Sequence, residues 1–305
     1  MRTEQKRRVG RPVRVTSIGY VAGTQTMRGI ARRVEAEAQR RPDIIVLPEA
    51  CMGNRLDALD GALVKALSAV ARKHKVYVVC PIYRKDGPRV LNSAVLLERD
   101  GRIAMIYDKV YPFWGEMAVM KGIGAVPGTD VPVYQADFGR IGILTCFDVN
   151  FPQLWQILAD KGAELVLWDS AYSSGRCLQA HAINHNYYVV SATWARDCQV
   201  YDITGERLQY SSSGDVNVHA VTLDLDRCIF HYDFHFEKRD KLLAEHKDEV
   251  ELEQDCRLES WFVLRAKQPG VSARKLAQQY GLEELPLYKV RSRKEIDVIR
   301  GQGIT

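Results

Sequence analysis

The sequence predicts a mixed α/β fold, and three observations predict it. Short apolar runs rich in β-branched residues alternate with longer stretches at helical spacing; two βα units follow one another between residues 140 and 193; and residues 90–109 read as a hairpin around the turn Arg99-Asp-Gly-Arg102. Residues 13–21 form the first strand candidate and 26–40 a helix. The continuous run Ile44-Ile-Val-Leu47 marks a strand buried on both faces, and 57–74 reads as a second helix. Residues 75–80 and the hairpin strands 90–97 and 103–109 follow. Pro127-Gly128 and Pro132 signal a loop before a strand at 133–136, and Asp137-Phe-Gly139 turns the chain into 140–146.

After Cys146 the chain turns and enters a helix at Pro152, which Gly162 ends, the usual placing of proline inside a helix start and glycine past its end. Residues 164–168 (strand), 169–175 (loop), 176–186 (helix) and 187–193 (strand) repeat the unit. Hairpin material at 199–206 and 219–225 completes the apparent core. Beyond about residue 235 the composition changes: 240–250 is highly charged, 251–265 reads as helical, and Gln268-Pro-Gly270 precedes a short helix between Ser272 and Gly281. The expected organisation is a basic tail at 1–12, a main domain at 13–239 and a helical extension at 240–305.

Composition excludes several classes. The chain has 305 residues, 46% hydrophobic and 27% charged, enough for a large core. A net charge of +5 is modest and does not indicate nucleic-acid binding. The last two helical segments resemble the start of a helix-turn-helix, but Glu283, Glu284, Glu295 and Asp297 dilute Lys289, Arg291, Arg293, Lys294 and Arg300, so a packing arm is the better reading and nucleic acid is not an expected partner. Seven cysteines without a close CxxC pair argue against a disulfide framework and a thiolate zinc site, and fit a reducing cytoplasm. No stretch reaches the 18 or so apolar residues of a membrane span. His181 and His185 share a helical face but lack the glutamate of an HExxH helix, so no metal is expected.

Three residues carry the chemistry: Glu49 after the run Ile44–Leu47, Lys109 in Tyr107-Asp-Lys109-Val-Tyr-Pro, and Cys146 in Gly142-Ile-Leu-Thr-Cys146-Phe-Asp-Val-Asn-Phe-Pro152. Each lies at or just past a strand end, where open α/β folds project reactive groups into a crevice. A thiol with a pKa of about 8.5 is mostly protonated at pH 7, so a nucleophilic cysteine needs a base or a cation beside it. Glu49 can supply the first and Lys109 the second. Singly, each residue is more often a cap, a salt-bridge partner or a small buried hydrophobe; together, in these contexts, they are not explained by packing.

With Glu116 in Pro112-Phe-Trp-Gly-Glu116, this set and its chain order resemble the nitrilase, or carbon-nitrogen hydrolase, superfamily over roughly residues 13–230. The resemblance implies a four-layer α-β-β-α sandwich and a thiol-dependent hydrolase of non-peptide carbon-nitrogen bonds in a small amide or N-carbamoyl substrate, working through a Cys146 thioester without a cofactor. It implies Glu49, Lys109, Cys146 and Glu116 as catalytic residues, Lys109 and the Phe147 N–H as oxyanion donors, and Trp114, Asn150, Tyr172 and Arg176 as substrate contacts. Gln153 stands where many relatives carry Glu. Nitrile hydrolysis, acyl transfer from the same thioester, or a non-catalytic interaction protein with a DNA- or protein-binding tail are the alternatives. A homodimer or larger homo-oligomer is expected, joined through apolar surface at Phe151, Leu154, Trp155 and Leu158.

Overall fold

The computed structural model describes residues 9–301, so the basic stretch at 1–8 lies outside the described residues. The chain divides into two compact units, one of residues 14–221 and one of the N-terminal segment with residues 222–305.

In the larger unit, the apolar runs pair as the sequence suggests. One sheet contains β1 (Pro12–Tyr20), β2 (Ile44–Val46), the short β3 (Leu56–Asp57), β4 (Tyr77–Asp86), β5 (Arg89–Leu97) and β6 (Ile103–Asp108). The second contains β7 (Val133–Ala136), β8 (Gly139–Thr145), β9 (Leu165–Ser170), β10 (Tyr188–Thr193), β11 (Asp197–Tyr201) and β12 (Arg207–Ser212). β13 (Val216–Asp224) joins the first sheet, whose order is β13-β1-β2-β4-β5-β6 with β3 beside β4; the second runs β12-β11-β10-β9-β8-β7. Both mix parallel crossovers with antiparallel hairpins: β1, β2, β4 and the short β3 are parallel, as are β8, β9 and β10, while β5, β6, β7, β11 and β12 pair antiparallel with their neighbours.

Helices cover the outer faces. α1 (Met27–Ala38) begins at Thr26, whose hydroxyl accepts the Gly29 N–H. α2 (Ala62–His74) starts later than the predicted residue 57, because Asp57 ends β3 and Gly61 takes the N-cap position. Ile30, Val34, Leu63 and Leu67 pack with Ile18, Ile45 and Val78 in one core. On the second sheet, α3 (Pro152–Asp160) and α4 (Gly175–His185) bury Trp155, Leu158, Leu178 and Ala182. The inner faces meet through small polar contacts: Ser17 Oγ donates to the Ser191 carbonyl (2.5 Å), and a Cβ on Gly19 would lie 3.0 Å from the Thr193 oxygen. The arrangement is an α-β-β-α sandwich.

Two expectations are corrected here. Leu154, Trp155 and Leu158 are 0–3% exposed within the chain itself, so they offer no surface for a partner. Residues 251–265 are not an α-helix: apart from a 3-10 turn at Arg257–Glu259 they form most of β15 (Val250–Cys256) and β16 (Trp261–Ala266), which with β14 (Cys228–His231) make the antiparallel sheet β14-β16-β15 of the smaller unit. The signal was in the sequence, since Val250-Glu-Leu-Glu253 alternates with period two and Trp261-Phe-Val-Leu264 is a buried-strand run. Cross-strand pairing of Arg265 with Glu251 and Glu253 satisfies the charges. α5 (Phe236–Glu245), α6 (Ala273–Gln279) and α7 (Leu285–Arg300) complete this unit, with Ser272 capping α6 as expected. In α7, Arg291 pairs with Glu283 and Glu295, and Arg300 with Asp297. Among the described residues no helix is long and apolar enough to cross a membrane.

The β8–α3 contact is close enough to test. A Cβ on Gly142 would lie 2.8 Å from Leu158 Cδ2. Gly142→Ala is predicted to destabilise the protein by about 1–3 kcal/mol in urea titration. The double variant Gly142→Ala/Leu158→Ala is predicted to lose less than the sum of the two single losses.

Candidate active site

Glu49, Lys109, Glu116 and Cys146 are all buried, at 2%, 1%, 9% and 5% exposure, and their backbones come from four separate segments. Glu49 follows β2, Lys109 follows β6, Glu116 closes a 3-10 turn (Trp114–Glu116), and Cys146 opens another (Cys146–Asn150) directly after β8. The Lys109 ammonium donates to Glu49 Oε1 (2.7 Å) and to Glu116 Oε1. Asn92 on β5 closes the ring, its Nδ2 donating to Glu49 Oε1 and Glu116 Oε2, both at 2.8 Å. Glu49 Oε2 is buried with no hydrogen-bond partner among the described residues. Backbone bonds lock the lysine: its N–H donates to the Asn92 carbonyl and its carbonyl accepts from Gly128 N–H, each at 2.8 Å.

Cys146 has φ +50°, in the left-handed region that non-glycine residues rarely enter. Asp148 holds that turn, its carboxylate accepting from the Thr145 N–H (3.0 Å), the Tyr111 N–H (2.9 Å) and the Tyr107 hydroxyl (2.6 Å). Trp168 Nε1 donates to the Cys146 carbonyl (3.2 Å) from β9. The sharp turn lifts the sulfur off the strand end into a cavity of about 620 Å³.

Electrostatics distinguish the roles these groups can take. Burial would strip the proton from Lys109, but Glu49 first, then Cys146 and Glu116, hold its pKa well above the ordinary lysine value, so it is a permanent cation. Burial, then the charge of Glu49, pushes the Cys146 thiol well up, against a smaller opposing pull from Lys109 and from hydrogen bonds with the Ala171 N–H and Ser170 hydroxyl. Of the two activation routes open in the sequence, this favours a base over a preformed thiolate. Asp169, fully buried beside this group with Oδ2 unpartnered, is raised well above the carboxylate range by burial and then by Glu49.

The remaining expected contacts divide. Phe147 and Tyr172 line the cavity. Asn150 does not, but its Nδ2 donates to the Phe147 carbonyl (3.1 Å) and the Tyr172 hydroxyl (3.4 Å). Trp114 is 59% exposed and outside the cavity, while its neighbours Phe113 and Gly115 form the wall; a tight turn cannot aim consecutive side chains one way. Arg176 is exposed and also outside, because Gly175 takes the inward helix position against Gln199 and Tyr201. Sequence reasoning missed Asn92, Tyr83, Lys121 and Trp194. Asn92 had a signal, a polar residue inside the strand run Val90-Leu-Asn-Ser-Ala-Val95. Among the described residues no cluster of three or more His, Cys, Asp or Glu could hold a metal ion. The His181 ring stacks on Trp155 at 4.1 Å and its Nε2 meets the Val149 carbonyl at 2.9 Å.

The carbon-nitrogen hydrolase family profile matches residues 21–230. The chain belongs to the carbon-nitrogen hydrolase family. It is 28% identical over 121 residues to a protein of Schizosaccharomyces pombe named a probable nitrilase, covering 37% of this chain and 43% of that one. It is 25% identical over 185 residues to the omega-amidase NIT2 of Danio rerio, covering 54% and 66%. The chain thus spans less than two thirds of either relative. The fold matches the amidase of Nesterenkonia sp. AN1, in a mutant bearing the acetamide moiety of fluoroacetamide on its active-site cysteine, with TM-score 0.63 and 19% identity over 78% of this chain and 97% of that one.

Two predictions follow from this geometry. A Cβ on Gly122 would lie 2.2 Å from the Gly115 carbonyl oxygen, so Gly122→Ala is expected to displace the Glu116 turn and destabilise the protein by about 1–3 kcal/mol in urea titration. The second concerns Asp148, which burial raises to about 6 from 3.8. Between these values the folded protein keeps a proton that the unfolded chain releases, so this group's contribution to stability is present at low pH and is lost as pH rises through about 6. Urea titrations from pH 4 to 7 are expected to show wild type losing about 3 kcal/mol relative to Asp148→Asn across that window. A pH-independent difference would contradict the raised value.

Proposed function

We propose that the chain is an amide hydrolase that opens a non-peptide carbon-nitrogen bond through a Cys146 thioester. The observation that supports this best is the free, buried Oε2 of Glu49 in the same pocket as the up-shifted thiol. As the sulfur adds to the substrate carbonyl, Glu49 takes the thiol proton. The carbonyl oxygen becomes negative and meets the Lys109 ammonium, which has three N–H donors and spends two on Glu49 and Glu116. The Phe147 N–H is the second donor in this scheme. Glu49 then passes its proton to the leaving nitrogen, ammonia departs, and the acyl group stays on sulfur. Water, deprotonated by Glu49, attacks the thioester, and the departing thiolate takes back the proton as the acid leaves. Glu116 and Asn92 position Lys109 and Glu49 and take no proton in this cycle.

The omega-amidase name of the Danio rerio relative and the fluoroacetamide adduct of the Nesterenkonia enzyme support amide over nitrile. The seven cysteines are free, which supports a reducing, cytoplasmic setting. Exposed Ile157 on α3 and Ile183 on α4 are the apolar positions we propose for a homodimer contact, in place of the buried Trp155 and Leu158.

Iodoacetamide does not discriminate well here, because Cys177 is exposed and reacts without an active site. Fluoroacetamide carries the amide that the pocket is proposed to hold. Peptide mapping by mass spectrometry should find its acetamide adduct on Cys146 of the wild type and none on that peptide in Cys146→Ala; an adduct spread over the other cysteines instead would overturn the proposal. Lys109→Arg puts a larger planar head group where a point charge is needed. It is expected to lose nearly as much activity as Lys109→Ala, about 100- to 1000-fold in kcat. Near-normal turnover in Lys109→Arg would exclude the oxyanion role.

A further inference from the structure

Tyr83 lines the cavity together with Glu49, Glu116 and Cys146, and the cycle above gives it no task. It lies on β4 directly opposite Asn92 on β5, and opposite residues of an antiparallel pair share one face of the sheet. The pairing therefore sets Tyr83 beside the asparagine that bridges the two glutamates. Its ring is 4% exposed and packs with Ala50, Ala125, Ile123 and Trp194. A phenylalanine would fill that space as well, so packing does not account for the hydroxyl.

The hydroxyl lies beside the Glu116 carboxylate and can donate to it. Burial, then the charges of Glu116 and Glu49, push its pKa above the ordinary tyrosine value, so the phenol keeps its proton at any working pH. Glu116 is held without this donor: Oε1 already accepts from the Lys109 ammonium and the Phe113 N–H, and Oε2 from Asn92. The contact does more for the tyrosine. It commits the phenol proton to a carboxylate, leaves the oxygen lone pairs to accept, and polarises them toward a new donor.

Amide chemistry brings such a donor. A primary amide nitrogen carries two N–H groups, and a proton from Glu49 adds a third as it leaves. Glu49 Oε2 faces one of them in the cycle above. With Tyr83, the acceptor sites of Glu116 are filled. Elsewhere on the cavity wall, Lys121 offers only donors, Asn54 is exposed, and the Tyr172 hydroxyl accepts from Asn150 at 3.4 Å.

We propose that the Tyr83 hydroxyl accepts an N–H of the leaving nitrogen while donating to Glu116, and so makes the site selective for amides over esters. This rests on the amide-hydrolase reading above. The C–N bond breaks as Glu49 delivers its proton to nitrogen, and Tyr83 holds the departing ammonia without giving up its own proton. An ester oxygen has no hydrogen to offer and meets the phenol lone pairs with its own, leaving the acceptor unpaired.

The test compares kcat/KM, which reads acylation, for two substrates of the full chain. One is the fastest of the primary amides from acetamide to hexanamide, followed by ammonia release; the other is the p-nitrophenyl ester of the same acid, followed by nitrophenolate release. Cys146→Ala supplies the background for both. Tyr83→Phe is expected to lower the amide value about 10- to 100-fold and to leave the ester value within about twofold of wild type. The retained ester turnover reports an intact Cys146 site. An equal fall for both substrates overturns the inference, since the hydroxyl then only holds Glu116 in place, and so does an unchanged amide value. No ammonia from any of these amides with the wild type overturns the hydrolase reading itself, and this inference with it.

Discussion

A lysine ammonium buried at 1% exposure between two carboxylates is the constraint on which the rest of the site depends. An isolated charge in such a place would neutralise itself, and an ion pair survives there only with its remaining donors and acceptors satisfied. Asn92 supplies that completion, holding one oxygen of each glutamate. The arrangement fixes Lys109 as a cation and, of the four oxygens of Glu49 and Glu116, leaves Glu49 Oε2 without a partner among the described residues. Charge, geometry and the free base therefore have one origin.

The sandwich explains how four distant segments reach this point. β2 lies parallel to β1 and β8 parallel to β9; β8 ends at Thr145, directly before Cys146, and β2 at Val46, shortly before Glu49. Hydrogen bonds from the turns then hold conformations that the chain would not adopt alone, as Asp148 does for Cys146 and the Trp194 indole does for the Glu49 carbonyl. A raised thiol pKa fits this design. The neighbouring carboxylate that makes the resting thiolate unfavourable is also the group placed to take its proton, so the nucleophile need exist as an anion only during attack.

Much of this was legible in the sequence, for physical reasons that differ by residue. Glu49, Lys109 and Cys146 could be picked out because each lies at or just past the end of a strand-like segment, a local pattern. The alternation of strands and helices from 13 to 193 was likewise local, and the observed elements follow it within a few residues. Asn92, Tyr83 and Trp194 were not singled out, since they join the site through long-range contacts between strands and loops that spacing does not encode. Trp114 and Arg176 failed as pocket residues because a tight turn and a helix start each turn neighbouring side chains apart. In the smaller unit, Val250-Glu-Leu-Glu253 carried a clear two-residue period, but its high charge drew it toward a helical reading; the cross-strand partner Arg265 that makes those charges acceptable lies 12 and 14 residues away.

The most direct test of the central constraint is the urea stability of Lys109→Met beside Lys109→Met/Glu116→Gln. Removing the ammonium strands two buried carboxylates, and the loss should be about 3–5 kcal/mol. If the lysine's charge is what holds the site together, neutralising Glu116 in the same background should restore part of that loss, making the double variant the more stable of the two. A double variant less stable than Lys109→Met would contradict the account, because Glu116 would then be held by contacts that do not depend on Lys109.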